Sequence, residues 1–471
     1  MGKPTILRFF FIIAILLSPD RVHAQTGLFL DDFGASCKSI AVGQAFTAVA
    51  DDFSAAYYNP AGLTQAESNF EVTLGYYYAK PMAKARMEYG PYRYDDDLTI
   101  QISGQRSSRG AIIGIASDLD FDSVIEAFPL FQRFAFGMVF WLNLPEIMTY
   151  HTGPEAYRAH YLRWDAGFAL LSIVNSMACE ITPWLSIGAG AIVSQKVFTQ
   201  EHNMSAANKS TFFPIPGIVP DEVIGTRVSV WSKAEAFAIP LAGILVKPPI
   251  RSLQDKISLG ITWRKGQKVH HGRGTQRIGF GWENDDGSFD WYLYLNDGLK
   301  TAIVGWQPTQ ITGSLAVRPI KGLVVSTDLT WKDWSKYEDY LGLRPSPRFK
   351  DTYVPRVGVE YAFDPNLPGR WLRWLELIAI RAGYFFEPSP IPDDDDIYHR
   401  NIFDTDTDVI STGLQFDYSS WGGWLEHSVE AYYQIHLLRK TYLPKDEDLW
   451  FGPTRLSGQV WSFGVSITTR F

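Results

Sequence analysis

The side chains that could carry covalent or metal chemistry are few and far apart in this sequence. His270 and His271 are adjacent but have no further close ligands, so the pair does not predict a zinc site. The aspartates Asp393–Asp396 lack the spaced oxygen ligands of a calcium loop, which favours a solvated loop tip. No Gly-x-Ser-x-Gly elbow and no His-Glu-x-x-His motif occurs. The sequence therefore predicts no enzyme, no metal site and no cofactor.

The first 24 residues have the features of a secretory signal peptide. Lys3 and Arg8 precede an apolar stretch from Phe9 to Leu17, and the segment ends with a small residue, Ala24. Such a stretch is too short for a membrane-spanning stop-transfer helix. We expect residues 1–24 to be removed and the mature chain to begin near Gln25.

The composition of the mature chain narrows the class of protein. The net charge of −8 argues against a nucleic-acid partner. After the signal peptide, no apolar run reaches the roughly 18 residues that a membrane helix needs. The amino-acid composition is uniform along the chain and rich in aromatic residues, and no linker divides the chain into domains. Two classes remain: a secreted all-β protein, and a transmembrane β-barrel, in which only alternate residues face lipid.

The C-terminus favours the barrel. From Gln459 to Phe471, aromatic and aliphatic residues alternate with small and polar ones, as in a strand with two different faces. The aromatic end at Phe471 resembles the terminal-strand signal of bacterial outer-membrane proteins. It implies the barrel-assembly machinery as a partner and the bacterial outer membrane, with its lipid and lipopolysaccharide, as the location.

The same alternation recurs in at least five other segments, each with an apolar face opposite a polar one. In a barrel, the apolar face meets lipid and the polar face lines the lumen. This assignment points six charged side chains into the lumen: Arg264, Arg356, Arg381, Asp328, Glu360 and Glu430.

The connections alternate between tight turns and long loops, as in outer-membrane barrels. Counting from Phe70 gives fourteen strands, so we expect residues 70–471 to form an antiparallel transmembrane β-barrel. Four apolar residues in the long loops are candidates for ligand capture, although they could also pack within their own loops: Phe212, Phe213, Leu341 and Leu343.

One segment lacks the alternating pattern of a β-strand. Gly43–Gln65 has helical spacing, small residues, the acidic pair Asp51-Asp52 and then Asn59-Pro60-Ala61. Proline cannot continue a helix comfortably and restricts the residue before it, so a sharp turn is expected there. The Asn59 amide can satisfy backbone groups that lose helical partners.

This segment resembles the N-terminal hatch of the FadL/TodX family of outer-membrane transporters for long-chain fatty acids and other hydrophobic compounds. Three further segments, in chain order, resemble family motifs: Leu259–Gly274 with Trp263-Arg264, Leu329–Tyr340 with Trp331, Trp334 and Ser335, and Ile380–Asp393. The long loops Glu201–Gly225 and Gly266–Lys300 carry no such likeness.

The resemblance implies an all-β fold, a fourteen-stranded barrel whose lumen is plugged by a helical hatch at residues 25–69. It implies a monomer that takes up hydrophobic molecules passively: extracellular loops capture the ligand, an apolar lumen pocket holds it, and hatch movement releases it sideways at a kink in the third strand. We look for that kink in Phe134–Leu144, near Gly137 or at Pro145 just beyond. An aromatic-hydrocarbon channel of the same fold, and a docking or secretion partner without transport, remain as alternatives.

Two roles remain open for the lumen charges: support of the hatch, with Asp51 and Asp52 as its partners, or contact with a ligand carboxylate.

Two states also remain open for the cysteines. In an oxidising compartment Cys37 and Cys179 allow one disulfide, since a lumen plug can reach the short turn near Cys179, but they can equally stay as free thiols.

Overall fold

The computed structural model describes residues 25–26, 29–66, 69–87, 107–119, 131–144, 160–163, 171–196, 200–206, 223–230, 235–250, 252–253, 255–272, 274–283, 289–297, 301–338, 344–345, 347–365, 375–392, 402–420, 425–443 and 454–471. Within these ranges, no helix combines the length and apolar character needed to cross a bilayer.

Fourteen antiparallel strands close into one barrel, which confirms the predicted fold class. The strands are β1 Phe70–Met87, β2 Ser108–Leu119, β3 Arg133–Leu144, β4 Leu171–Thr182, β5 Leu185–Lys196, β6 Glu235–Val246, β7 Ile257–Arg264, β8 Gln310–Val317, β9 Leu323–Lys332, β10 Thr352–Phe363, β11 Leu375–Glu387, β12 Thr407–Ser419, β13 Glu426–Leu443 and β14 Thr454–Arg470.

Each strand pairs with its neighbours in sequence, and β1 pairs with β14 from Glu71–Arg470 to Met87–Thr454 to close the cylinder. Because closure leaves no free edge, the backbone polar groups of a spanning sheet are satisfied without water. Among the described residues of the fourteen barrel strands, the shortest ladder joins β6 to β7 through six residue pairs, whereas twelve pairs join β6 to β5.

The two faces of the strands are those that the alternation predicts. On β14, Phe463, Val465 and Ile467 are exposed on the outside, and Ser462 and Ser466 are buried inside. The apolar exterior matches the requirement for contact with lipid tails.

The described hatch, residues 29–66, lies inside the barrel and is almost entirely buried. It contains α1 Phe29–Phe33, α2 Cys37–Ala41, α3 Ala55–Tyr58 and a 3₁₀ helix, Pro60–Gln65. Its apolar side chains form the main core of the molecule together with lumen-facing residues of the barrel. Before it, Gln25–Thr26 pairs in parallel with Gly305 and Trp306, at the side of the barrel where the long connections lie.

The long connections contain strands of their own. The strands Gln200–Ala206, Val223–Val230, Gly274–Glu283 and Phe289–Asp297 form one sheet, and Gln267–Gly272 pairs with Thr301–Gln307. The segments Glu201–Gly225 and Gly266–Lys300 are therefore partly β-structure rather than loops throughout. Two short strands, His160–Tyr161 and Ile402–Phe403, pair in parallel, and a 3₁₀ turn covers Trp334–Lys336.

The expected kink in the third strand is absent from the described part of β3. Its ladder with β2 runs without a register shift from Arg109–Leu144 to Leu119–Phe134. Its ladder with β4 is equally regular, and Gly137 sits in it as an ordinary pair with Ser176. The prediction of a kink at Gly137 is therefore wrong, because the backbone pairing continues through this glycine without a break. Pro145, the other predicted position, lies outside the described residues.

Candidate functional site

The hatch turns sharply at Asn59, where α3 ends and the 3₁₀ helix begins. Asn59 is extended at φ −156°, and its side chain accepts a hydrogen bond from the Ala61 backbone N–H. Its amide also donates to the carbonyls of Thr47, at 2.8 Å, and Ile244, at 3.2 Å. One buried side chain thus caps a helix, ties the hatch to itself and fastens it to β6.

A belt of glycines on eight strands gives the hatch room inside the lumen. A Cβ at Gly188 would lie 2.5 Å from the Ala61 nitrogen and close to Pro60, and other lumen glycines face hatch atoms in the same way. The glycine belt consists of Gly114, Gly137, Gly188, Gly243, Gly260, Gly358, Gly383 and Gly413. The backbone of the hatch therefore packs directly on the backbone of the wall.

The acidic pair of the hatch does not contact the lumen arginines. Asp51 pairs with Lys38 of α2 at 2.8 Å, and Asp52 accepts hydrogen bonds from the Ser54 backbone and hydroxyl. Burial, together with the charge of the adjacent Asp51, raises the pKa of Asp52 to about 6. The expectation that these two carboxylates are the partners of lumen charges is wrong for the contacts described.

Asp31 in α1 takes that role. It accepts hydrogen bonds from Arg264, from the Tyr57 hydroxyl and, at 3.0 Å, from Gln310. Burial alone would raise the pKa of Asp31, but the charges of Arg264 and Lys332 and the hydrogen bonds outweigh it and lower the pKa to about 2. The ion pair joins the hatch to β7, so Arg264 supports the hatch, as one of the two predicted roles requires.

The second predicted arginine, Arg381 on β11, is neutralised by the wall itself. It contacts Glu360 on β10 at 2.5 Å and Glu430 on β13 at 3.0 Å, and it also hydrogen-bonds Gln415. Only 2% of its side chain is exposed. A buried charge with two carboxylate partners and good geometry is structurally required, since removal of one member leaves the others unpaired.

Asp328 on β9 and Arg356 on β10 are Cα partners in the ladder, but their side chains make different contacts. Asp328 accepts a hydrogen bond from the Thr47 backbone of the hatch at 3.1 Å and one from Ser314. Arg356 donates to Thr330 at 2.6 Å and lies over the Phe385 ring. Among the described residues Arg356 has no carboxylate within ion-pair distance, and its buried Nε has no hydrogen-bond partner.

A cavity of about 50 Å³ lies between the hatch and strands β7–β10. Asp31, Tyr57, Arg264, Asp328 and Arg356 line it, so two carboxylates and two guanidinium groups balance there. The Asp31–Arg264 ion pair and Arg356 therefore face the same cavity.

Sequence reasoning missed several charged side chains that fix the hatch. Arg133 on β3 pairs with Asp118 and donates to the carbonyls of Thr64 and Ala66, at 2.7 and 2.8 Å, and Glu71 accepts from the Phe53 backbone. In the sequence, Arg133 and Glu71 could have been recognised as charged residues at the start of a strand, close to the point where the chain leaves the hatch. A further buried pair, Lys332–Glu387 at 2.7 Å, joins β9 and β11; its signal is a charge on a lumen face of the strand.

The lumen has two unlike walls, defined by the buried side chains of the strands. The polar wall, on β9–β13, carries Asp328, Thr330, Lys332, Arg356, Arg381, Glu387, Gln415, Glu430 and Gln434. The apolar wall, on β1–β6, carries Tyr77, Ala79, Ile112, Val139, Trp141, Val174, Ile192, Ile239 and Leu241. The inward charges described on the apolar wall lie at the ends of the strands near the short turns, as Glu71 and Arg133 do.

The two cysteines are free and buried. Cys37 packs with Ile40, Ala41 and Tyr432 on the β13 side of the lumen, whereas Cys179 lies on β4. The disulfide does not form in the structure because the hatch places Cys37 against a different part of the wall.

Some predicted sites cannot be compared with the structure. All four capture candidates, Phe212, Phe213, Leu341 and Leu343, and the aspartates 393–396 lie outside the described residues. His270 and His271 lie in the strand Gln267–Gly272 rather than in a loop. No group of three metal-binding side chains occurs in the part of the chain that is described.

Comparisons with known proteins agree on one family. The profile described as "Outer membrane protein transport protein (OMPP1/FadL/TodX)" matches residues 23–421. No curated relative matches the sequence.

Three solved structures illustrate the likeness in fold. A FadL homologue from Pseudomonas aeruginosa is 16% identical with a TM-score of 0.60, covering 93% of this chain and 98% of its own. The toluene transporter TodX of P. putida is 14% identical with a TM-score of 0.52, covering 92% and 98%. The toluene transporter TbuX of Ralstonia pickettii is 13% identical with a TM-score of 0.51, covering 92% and 97%.

Proposed function

Because the chain belongs to the outer membrane protein transport protein family (OMPP1/FadL/TodX), we propose that it is a passive uptake channel in which a hydrophobic molecule moves along the apolar wall and the hatch controls its release. The family is one of outer-membrane β-barrels that transport hydrophobic compounds.

The apolar wall carries this proposal. In the halves of β1–β6 near the long connections, the described lumen residues are apolar apart from small hydroxyl side chains. Each methylene that leaves water for such a surface gains about 0.8 kcal/mol, so a hydrocarbon binds by area and not by specific contacts. No covalent chemistry and no ATP is required.

An uncharged hydrocarbon fits the described lumen better than a carboxylate. Arg264 and Arg381 already have carboxylate partners in Asp31, Glu360 and Glu430. A long-chain fatty acid is the second candidate, and Arg356 favours it, since its guanidinium has a free Nε and lies over Phe385 in the apolar group Val354, Phe385 and Val409. The relatives TodX and TbuX are described as toluene transporters.

The test compares uptake of radiolabelled toluene and palmitate by cells that lack their own transporters. Wild type is compared with Asn59→Ala/Pro60→Ala, in which the hatch loses its cap and its ties to Thr47 and Ile244. Arg356→Gln separates the substrates: palmitate uptake should fall several-fold while toluene uptake stays unchanged. Equal insertion is checked by heat-modifiable gel mobility. An inserted wild-type barrel that takes up neither compound would instead support the docking or secretion reading.

For the lateral exit we propose the seam between β6 and β7 in place of β3. The ladder at this seam is the shortest described within the barrel, and the seam borders the apolar wall. Ala242→Cys/Trp263→Cys, a pair of Cα partners across this seam, should block uptake when oxidised. The matched control is Ile380→Cys/Leu414→Cys across β11 and β12. Equal uptake by both oxidised proteins would rule out this exit.

A further inference from the structure

Three neighbouring strands at the closure of the barrel are longer than the others. In the described part of the chain, β1 and β13 have 18 residues and β14 has 17, whereas the other barrel strands have between 8 and 13. The three long strands are in register at the short-turn end, where Arg470 pairs with both Glu426 and Glu71. Their extra length therefore lies at the end of the long connections, which faces the outer leaflet.

Aromatic side chains mark the level at which the hydrocarbon layer ends on these strands. Phe463 on β14 and Tyr78 on β1 are Cα partners, and the Trp461 ring lies 6.2 Å from the ring of Phe463 and 5.7 Å from that of Tyr78. Barrels carry such aromatic girdles at the membrane interface. The stretch from Trp461 to Arg470 has the length of a spanning strand, about 9–11 residues, so residues 454–460 lie in the headgroup region.

From the aromatic level upward, the three strands are basic and lack acidic residues. The segments 78–87, 433–443 and 454–463 contain six Lys or Arg and no Asp or Glu, although acidic residues outnumber basic ones in the whole chain. Arg109 on β2, the Cα partner of Tyr78, is exposed beside them. We define the cationic sector by the exposed cations described on these four strands: Lys80, Arg109, Arg439, Lys440 and Arg455.

A β-bulge in β13 places two consecutive cations on the outer face. The ladder with β14 shifts register between Leu438 and Thr441, so Arg439 and Lys440 together oppose the single residue Ser457. Both cations are exposed, whereas in a regular strand one of two consecutive side chains would face the lumen. The bulge therefore concentrates positive charge on the outside of the barrel.

Arg439 holds one edge of the cationic sector in place. Its Nε and Nη2 contact the two carboxylate oxygens of Asp408 at 2.7 and 2.9 Å, and its guanidinium lies 4.4 Å over the Phe386 ring. The Tyr384 hydroxyl donates to the same carboxylate at 2.7 Å. Asp408 neutralises Arg439, but Lys440 makes no ion pair within the described residues, so its charge is available to a ligand.

We propose that the cationic sector binds the two phosphate groups of a lipid A molecule in the outer leaflet. Lysine and arginine are the side chains that bind phosphate in proteins. The cationic sector extends over four strands, about 14 Å at the usual strand spacing, which is wider than one phosphate and suits a headgroup with two.

The outer face below the cationic sector suits the acyl chains of the same molecule. Leu74 on β1 and Val465 and Ile467 on β14 are exposed there. One ligand with two phosphates and several acyl chains thus matches both parts of this surface. The proposal concerns the outer face of the barrel and does not depend on transport through the lumen.

The first test measures binding of diphosphoryl lipid A to the purified full-length barrel by native mass spectrometry. Lys80→Gln/Lys440→Gln should weaken binding about tenfold, because two cations without ion-pair partners are lost. The matched control, Lys256→Gln/Lys321→Gln, removes two exposed cations at the short-turn end and should change nothing. Heat-modifiable mobility checks that both variants are folded. An unchanged affinity in the sector variant, or equal weakening by both pairs, would overturn the proposal.

The same titration separates lipid A from other sources of phosphate. Monophosphoryl lipid A should bind wild type more weakly than the diphosphoryl form, since one phosphate leaves part of the cationic sector unused. Phosphatidylglycerol that binds as tightly as lipid A, or inorganic phosphate that displaces it at equal concentration, would show a general anion surface and overturn the assignment to lipid A.

The second test locates the lipid in living cells. A photoreactive benzoylphenylalanine replaces Gln459, whose Cα partners Leu437 and Met82 are exposed within the cationic sector. The control position is Tyr353, which is exposed at the long-connection end of β10. The adduct with lipopolysaccharide should be at least about fivefold more abundant at Gln459, and Lys80→Gln/Lys440→Gln should remove this excess. Equal adducts at both positions would show bulk lipid contact and contradict a specific site.

Discussion

The two walls of the lumen are built from the same kind of alternating strand, yet they hold the hatch in different ways. The polar wall and the strands beside it use charges, such as Asp328 on β9 with the Thr47 backbone and Arg264 on β7 with Asp31. The apolar wall uses close packing, with Phe53 against Gly114 and Leu63 against Gly137, and places its charged contacts to the hatch, from Glu71 and Arg133, only at the ends of the strands near the short turns. Ion pairs fix position strongly but tolerate no unpaired member, whereas packing tolerates small changes. If the ligand moves along the apolar wall as proposed, it disturbs the packed attachment of the hatch rather than the ion pairs.

The largest effect should come from breaking the polar wall. Arg381→Met leaves Glu360 and Glu430 buried without their cation, which should cost about 3–5 kcal/mol of unfolding free energy. Ile192→Val, at a fully buried position of the apolar wall, should cost only about 0.5–1.5 kcal/mol. Urea titrations followed by heat-modifiable mobility would measure both. An equal loss of unfolding free energy in the two variants would mean that the polar wall is no more sensitive to substitution than the apolar wall.

The next effect concerns packing between the wall and the hatch. Gly188→Val places side-chain atoms where Ala61 and Pro60 lie, and it should destabilise the docked hatch by about 1–3 kcal/mol. Gly313→Val is the matched control, because a Cβ at Gly313 meets no atom within 4 Å. Limited proteolysis of the hatch in folded barrels would report the difference. A hatch that is equally protected in both variants would contradict the role of the glycine belt.

A comparable effect is expected where the hatch meets β7 and β8. Asp31→Asn removes the negative charge and one of the two acceptor oxygens that serve Arg264, Tyr57 and Gln310, so one buried donor loses its acceptor, and the change should cost about 1–3 kcal/mol. Hydrogen exchange of α1 amides should rise while exchange in β11 stays constant. A change spread over the whole barrel would show that Asp31 stabilises more than the hatch.

The smallest effect should be a pH dependence confined to the hatch. Burial raises the pKa of Asp32 to about 7 and that of Asp52 to about 6, so both groups bind protons more tightly in the folded state than in the unfolded one. Folding stability must then fall as pH rises from roughly 4 to roughly 7, and stay at the lower value above. Asp31, with a pKa of about 2, acts only below that window.

Hydrogen exchange of residues 29–66 at pH 5.5 and pH 8, corrected for intrinsic rates, would test this. Protection should be greater at pH 5.5. The double variant Asp32→Asn/Asp52→Asn should lose most of the difference. A difference that persists unchanged in that variant would assign the pH dependence to other groups.

The strands could be predicted from the sequence because their signal is local. Alternation with period two fixes which side chains face lipid, and it correctly directed Arg264, Arg381 and Asp328 into the lumen. The turn at Asn59-Pro60 was also predictable from local chemistry. These features need no knowledge of distant parts of the chain.

The partners of the lumen charges could not be predicted, because each contact joins residues far apart in sequence. Arg264 and Asp31 are separated by 233 positions, and nothing near either residue identifies the other. The prediction chose Asp51 and Asp52 because they are adjacent and acidic, yet the fold gives them the local partners Lys38 and Ser54. The kink in β3 came from the family likeness alone, and the regular ladders of β3 do not have it.

The ladder between β1 and β14 also sets an order of assembly. It joins residues near both ends of the barrel sequence, from Glu71–Arg470 to Met87–Thr454, so it cannot form until the last strand has been synthesised. The hatch precedes β1 and is therefore already made at that time. Because the glycine belt lies in close contact with the hatch, a folded hatch has no space to enter a barrel that is already closed. The strands therefore close around the hatch. The hatch then acts as a template during biogenesis, and its removal should slow barrel closure as well as open the pore.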